Sequence, residues 1–243
     1  MPIKVLVNGA FGRMGQMTVK AISSDPELEL VGQTGREYDL KKAIEDSRAQ
    51  VVVDFTEASS VYANTLAIIE ANARPVIGTS GLKKDQIQNL KNKCKELKLG
   101  GIIAPNFSLG AVLMMKYAKE IAKYFPYVEI IEMHHDKKMD SPSGTSMRSA
   151  ELLAEARQQV PFIGESYETV HGARGANYQG IPIHAVRLPG LLAHQKIIFG
   201  NTGETLSLQH DSIDRVCFMP GVCLACVKVM TLDHLVYGLE EVL

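Results

Sequence analysis

The sequence has little charge imbalance, few cysteines and no long apolar run, and each shortage closes off a class of function. Lys and Arg number 26 against 27 Asp and Glu, a net charge of −1, so there is no basic excess to draw nucleic acid or an acidic membrane surface. No apolar stretch approaches the length of a membrane span. The opening MPIKVLVNGA runs directly into a strand pattern, and a soluble, cytoplasmic protein is the expectation. The four cysteines, Cys94, Cys217, Cys223 and Cys226, form no disulfide framework. Cys223 and Cys226 lie in the apolar run CLACVKVM, where packing in a buried helix accounts for them better than metal or redox chemistry. Repeats and low-complexity segments are absent. What the chain does have is 46% hydrophobic residues over 243 positions, enough for one large core or two modest ones.

The densest chemistry lies in Glu132 to Thr145, which reads EMHHDKKMDSPSGT. His134 and His135 are proton carriers near neutral pH, and Lys137 and Lys138 bring positive charge for an anion. The Pro-Ser-Gly-Thr turn then opens a helical pattern through Met147, Leu152, Leu153 and Ala156, whose first free N–H groups suit a carboxylate. The combination fits a small dicarboxylate, although a solvated turn would use the same charged residues. Zinc fits poorly, because adjacent strand residues point to opposite faces and no HExxH or cysteine-rich partner exists; no metal is expected. The string E-x-H-H-x-x-K-x-D-x-P-S-G-T closely resembles the signature of the 4-hydroxy-tetrahydrodipicolinate (dihydrodipicolinate) reductase family of the lysine and diaminopimelate pathway.

The N-terminal half reads as a nucleotide-binding unit. Ile3 to Asn8 is a short strand pattern, followed by Gly9-Ala10-Phe11-Gly12-Arg13-Met14-Gly15 and an apolar helical pattern through Met17, Ala21 and Ile22. The glycines permit a tight turn and close approach of a pyrophosphate to the helix N-terminus. The spacing is GxxGxxG, not the usual GxGxxG, but it sits between a strand and a helix, and the resembled family carries this variant with the same Gly-Arg-Met-Gly ending. A second strand, Leu28 to Gln33, leads to Thr34-Gly35-Arg36-Glu37. An acid at the end of this strand serves a ribose 2′-OH and an arginine a 2′-phosphate. Gly35 stands where some family members have glutamate and Arg36 follows, so NADPH is the expected preference, with NADH also accepted.

A helix from Asp39 to Ser47, a strand from Gln50 to Phe55, a helix from Val61 to Asn72, a strand from Pro75 to Thr79, a helix from Leu82 to Leu97 and a strand from Gly101 to Ala104 complete the alternation. That pattern specifies an α/β fold, a Rossmann-like doubly wound parallel sheet. Ligands of such sheets lie beyond the carboxyl ends of the strands. The segments Asp54-Phe55-Thr56, Gly78-Thr79-Ser80-Gly81 and Ala104-Pro105-Asn106-Phe107-Ser108 therefore share one crevice with the glycine loop, or are ordinary strand-end turns. The resembled family has DFT, GTTG and (A/P)NFS-like segments in this order, the last two at the nicotinamide end. The resemblance thus assigns Gly78, Thr79, Ser80, Ala104, Pro105, Asn106 and Phe107 to the cofactor, beside Gly9, Ala10, Phe11, Gly12, Arg13, Met14, Gly15 and Arg36.

After a helix from Leu109 to Phe125 the pattern changes. Tyr127 to His135 is a strand, Ser143 to Val160 a helix, and Ile181 to Leu188, His194 to Gly200 and Thr205 to Asp211 are strands in succession. This is a second, α+β substrate-binding domain with a mixed sheet. Gly164 to Gly180 reads as a surface loop, in which His171 and Arg174 are substrate contacts or plain surface charges. Phe218 to Tyr237 reads as an apolar helix returning to the first domain. The expected division is 1–105, dinucleotide-binding and completed by a C-terminal helix 216–243, and 106–215, for substrate binding and oligomerisation.

The resemblance spans essentially the whole chain. It implies hydride transfer from NADH or NADPH to a cyclic imine dicarboxylate, giving tetrahydrodipicolinate, with His134 as general acid/base and Lys138 as proton donor. It makes His135, Gly144 and Thr145 binders of the substrate carboxylates, and it implies a homotetramer joined through the second domain's sheet. Two other readings stand beside it: a different nicotinamide-dependent reductase of a small amino or keto diacid, and a non-catalytic NAD(P) sensor, against which the retained His134 and Lys138 argue.

Overall fold

The computed structural model describes residues 1–157 and 167–243, which form two units, Met1–Leu109 with Arg215–Leu243, and Gly110–Asp214. The first unit begins β1 (Ile3–Asn8), α1 (Arg13–Ser24), β2 (Leu28–Thr34), α2 (Leu40–Ser47), β3 (Val51–Asp54), α3 (Val61–Glu70), β4 (Arg74–Ile77), α4 (Lys84–Leu97) and β5 (Gly101–Ile103). The middle strand β3 is buried at every position, as a parallel strand covered by helices on both faces must be. This explains its unbroken Val-Val-Val run. Helix ends follow local rules: the Asp39 side chain caps α2 by accepting from Lys42 N at 3.1 Å, and α2 and α4 stop at left-handed residues, Arg48 and Lys98. Leu6, Val52, Ile68, Ile69, Ile77, Leu90 and Ile103 meet in one core.

The second unit contains α5 (Leu109–Ile121, starting at the boundary), β6 (Tyr127–His134), α6 (Gly144–Ala156), β7 (Ala176–Tyr178), β8 (Ile181–Arg187), β9 (Ala193–Asn201) and β10 (Glu204–Ser212). Its sheet runs β10-β9-β6-β8-β7. The β6–β8 pair is parallel and the others antiparallel, so the sheet is mixed. One face packs Val128, Ile130, Ile181, Ile183, Ile197 and Phe199 against Met114, Ala118, Ala150 and Leu153. The helix expected from Ser143 to Val160 ends at Ala156, where Arg157 turns to extended backbone, and 158–160 lie outside the described residues. Of the stretch expected as a loop, 164–166 also lie outside, and Ala176–Tyr178 pairs as β7 with β8. Three residues are too short for a period to announce them.

The C-terminal stretch corrects the expectation of a single helix. Arg215–Phe218 is a 3₁₀ turn, Met219–Lys228 is α7, Val229–Thr231 is again 3₁₀, and Leu235–Tyr237 is a strand, β11, parallel to β5. The first sheet is thereby six-stranded and parallel, in the order β11-β5-β4-β3-β1-β2. An apolar run of this length suits helix or strand; here the open edge of β5 takes the strand-prone Leu235, Val236 and Tyr237. Among the described residues no helix is long and apolar enough to cross a membrane.

Candidate active site

The glycine loop of the first unit is built by backbone. Gly9 takes a positive φ of 79°, and a Cβ there would lie 2.4 Å from the Phe55 carbonyl oxygen. Gly15 lets α1 pack onto the loop: a Cβ would come 2.0 Å from the Gly9 oxygen. The Gly9 and Ala10 N–H groups donate to the Thr34 carbonyl at 2.9 and 3.0 Å. Gly12 is the N-cap of α1 and contributes no side-chain cap, so first-turn N–H groups at Arg13, Met14 and Gly15 remain for an anion. These features fit a dinucleotide pyrophosphate.

A cleft beside this loop is lined by Asn8, Gly9, Phe11, Gly12, Gly35, Arg36, Tyr38, Phe55, Thr56 and Glu57, among others. Phe11 stacks on Tyr38 with ring centroids 6.0 Å apart. The Arg36 guanidinium, largely exposed, pairs with Glu57 at 3.0 Å. Below the cleft the buried Asp54 side chain ties the strand ends together. It accepts from Asn8 Nδ2 (2.8 Å), Asn64 Nδ2 (3.1 Å), the Thr56 N–H (3.1 Å) and hydroxyl (2.7 Å), and the Thr79 hydroxyl (2.6 Å). Thr79 follows β4, with Gly78 and Ser80 beside it, and Ala104 to Phe107 follow β5. Phe107 packs edge-on to Phe55, 5.8 Å between centroids. All three segments lie beyond the carboxyl ends of their strands, but only Phe55 and Thr56 line the cleft that holds Arg36; the segments at Thr79 and at Ala104 to Phe107 do not.

In the second unit the chemistry is carried by side chains. Alternation along β6 puts Val128, Ile130 and Glu132 in one buried row, and Glu132 is 0% exposed. Burial pushes its pKa up, but hydrogen bonds and charge from His134 and Arg187 outweigh this and hold it below the ordinary carboxylate value. Glu132 Oε2 lies 2.5 Å from His134 Nδ1 and accepts from Arg187 Nη1 at 2.8 Å, while Oε1 accepts from Arg187 Nη2 at 2.7 Å. Oε1 also accepts the Ser143 N–H at 3.2 Å, which ties Glu132 to the N-cap of α6. Register explains the meeting: His134 pairs with Arg187 on β8, and Glu132 with Gln195 on β9.

The same Arg187 Nη2 donates to the Asp140 carbonyl at 2.8 Å. The Asp140 carboxylate grips Lys138 Nζ at 2.7 and 2.9 Å, and the Lys138 hydrogen bond holds the acid's pKa low. Ser143 Oγ accepts from Ser146 N at 3.2 Å, and a buried chain runs from the Ser146 hydroxyl to Gln195 (3.0 Å) and on to Ser149 (2.7 Å). Gly144, at the first turn, is exposed, and a Cβ on it would meet nothing within 4 Å. The protein itself therefore does not demand glycine there.

His134 and Lys138 thus belong to one network, which reaches the start of α6 at Ser143, the residue before Gly144 and Thr145. His135 lies just past β6, half-buried, its carbonyl accepting from Lys138 N at 3.1 Å. His171 is fully exposed, 3.8 Å from Glu168. Arg174 pairs with Glu129, which also bonds His184 at 2.8 Å. Arg187 and Glu57 were not singled out from the sequence, and Glu132 and Asp54 stood inside segments read there without a role of their own. A visible signal existed for two of them: an acid in the apolar row of β6, and an arginine closing the pattern IPIHAVR.

Comparison with known proteins falls on both units. Residues 3–107 match the family described as dihydrodipicolinate reductase, N-terminus, and residues 110–243 its C-terminus. The chain is 53% identical to the 4-hydroxy-tetrahydrodipicolinate reductase of Coxiella burnetii and 52% identical to that of Legionella pneumophila, over 100% of both chains in each case. A dipicolinate-bound dihydrodipicolinate reductase from Paenisporosarcina sp. TG-14 superposes with a TM-score of 0.91 at 42% identity, again over the whole of both chains. On these grounds the chain belongs to the dihydrodipicolinate reductase family.

Proposed function

We propose that this chain catalyses the NAD(P)H-dependent reduction of 4-hydroxy-tetrahydrodipicolinate (dihydrodipicolinate) to tetrahydrodipicolinate, a step of lysine and diaminopimelate synthesis. The observation that carries the reading is the single network that joins His134 and Lys138 through Glu132 and Arg187 and reaches the start of α6 at Ser143, just before Gly144. The bound nicotinamide supplies the hydride. Negative charge left on the neighbouring atom is met by a proton, with Lys138 as donor and His134 as general acid/base. The substrate carboxylates take the N–H groups at Gly144 and Thr145, together with His135; the open space above Gly144 supports this, since a carboxylate needs the room that a side chain would fill.

The unit Met1–Leu109 with Arg215–Leu243 binds the dinucleotide. Gly9, Ala10, Phe11, Gly12, Arg13, Met14 and Gly15 hold the pyrophosphate, and Gly78, Thr79, Ser80 and Ala104, Pro105, Asn106, Phe107 take the nicotinamide end. NADPH is preferred over NADH because Gly35 leaves no acid before Arg36, whose guanidinium suits a 2′-phosphate. Glu57, already paired with Arg36, keeps the preference modest. The unit Gly110–Asp214 binds substrate, and its sheet joins protomers into a homotetramer, which sedimentation at micromolar concentration checks; a monomer would end that idea. The free cysteines suit work in the cytoplasm.

The deciding assay follows NADPH absorbance with freshly formed dihydrodipicolinate. Consumption that depends on this compound supports the reading. Turnover of other amino or keto diacids in its place would make this a different reductase, and cofactor binding without any turnover would make it a sensor.

A further inference from the structure

We infer that Glu132 and Arg187 are positioning residues for proton transfer: Glu132 holds the Nδ1–H of His134 so that Nε2 is the nitrogen that exchanges the proton, and Arg187 holds Glu132. The inference rests on His134 being the acid/base.

The geometry leads there by elimination. An ionised carboxylate only accepts hydrogen bonds, and Glu132 is kept ionised in an apolar row by a guanidinium that meets both its oxygens at 2.7 and 2.8 Å. The imidazole nitrogen 2.5 Å from Oε2 must then carry a hydrogen. With Nδ1 so occupied, the neutral ring keeps its lone pair on Nε2, and the charged ring donates from Nε2. Among the described residues Nε2 makes no hydrogen bond, so it is left for the substrate. The proton shuttles between Nε2 and substrate while Nδ1–H stays in place, the arrangement by which a third group orients a base.

The second half concerns Arg187. Its Nη2 reaches Glu132 and also the Asp140 carbonyl, and the Asp140 carboxylate holds Lys138. One guanidinium thus fixes the supports of both groups that handle protons. A purely structural salt bridge between β6 and β8 needs neither the His134 bond nor the Asp140 bond.

The test begins with ¹⁵N-histidine spectra of the wild-type protein, the His134 signals assigned by their loss in His134→Gln. The expected result is a neutral ring protonated at Nδ1; one protonated at Nε2 would overturn the inference with no variant needed. Glu132→Gln should then mix the tautomers and lower kcat about tenfold to a thousandfold, with substrate KM within about threefold. In the Glu132→Gln/His134→Gln double variant, kcat should equal that of His134→Gln alone, because Glu132 acts through that ring. Additive losses, or an unchanged kcat and tautomer in Glu132→Gln, would reduce the pair to a structural tie. Should Glu132→Gln not fold, Arg187→Lys carries the same test, since a lysine keeps the charge but cannot bridge both oxygens and the Asp140 carbonyl; unchanged kcat there would overturn the role of Arg187. If His134→Gln itself turns over like wild type, the failure belongs to the acid/base reading and not to the positioning.

Discussion

The two units meet charge in opposite ways. The first offers an anion bare backbone, with Gly9 and Gly15 clearing the space and α1 starting without a side-chain cap. The second uses ionised side chains, Glu132, Arg187, Lys138 and Asp140, each held by another. Backbone recognition needs no side chain to be ordered, because the helix already fixes the N–H groups. At the fully buried Glu132 the set of partners must be complete, since removing one strands a buried charge at a cost of about 3–5 kcal/mol. The glycine loop of the first unit therefore depends little on its own side chains, although the buried Asp54 beneath it does not share that freedom, while the second unit tolerates change almost nowhere around Glu132.

Each unit also contains one residue that works the other way, and substitutions there and at the side-chain machinery test the contrast. The largest effect comes from the side-chain machinery itself: His134→Gln should lower kcat about a hundredfold to ten-thousandfold, the range of a positioned acid or base. Titration of NADPH fluorescence should give an unchanged Kd, and wild-type turnover would remove His134 from the reaction. Next comes the backbone exception in the second unit. Gly144→Val should raise substrate KM about tenfold to a hundredfold, the worth of a charged hydrogen bond of about 1.5–3 kcal/mol, and leave the NADPH KM alone. An unchanged substrate KM would make the start of α6 merely structural.

The side-chain exception in the first unit is Arg36. Arg36→Ala should raise the KM for NADPH about tenfold, one charge-assisted bond's worth, with NADH little affected; equal losses, or a wild type that favours NADH, would mean that the 2′-phosphate is not read here. The smallest effect is on stability. Carboxyl pKa values are held low at Glu132 and Glu129, where histidine and arginine partners overcome burial, and at Asp140 and Asp211, through Lys138 and His194. Such groups stabilise the fold above the ordinary carboxylate range, about pH 4, and that stability is lost as pH falls through their lower folded values. Hydrogen exchange below pH 4 should therefore open β6 before β1, and Glu132→Gln should flatten the acid dependence of β6. Simultaneous opening would mean that the network adds no acid sensitivity.

Much of the fold was legible because its signals are local. The run of β3, the glycine loop and the Ser143 cap all lie within a few residues of what they specify. Glu132 and Arg187 are 55 positions apart, and only the β6–β8 register brings them together. Arg36 was visible as a cation, but its partner Glu57 stands 21 positions away on another strand end. β11 is hidden for a related reason: the strand preference of three residues, Leu235 to Tyr237, is too short a signal against the apolar helical run before it until the edge of β5 is there to receive it.

That last strand has a consequence for how the protein is made. A ribosome delivers β1 through β5 early, then the entire second unit, and only afterwards Leu235–Tyr237. Throughout that interval β5 presents an unpaired edge, a template on which strands of neighbouring nascent chains can add. The second unit, contiguous in sequence, has no such wait. A nascent chain stalled before residue 235 is therefore the form of this protein most exposed to aggregation, and a chain shortened to end there should accumulate in inclusion bodies even though every residue of the proposed proton-transfer network is present.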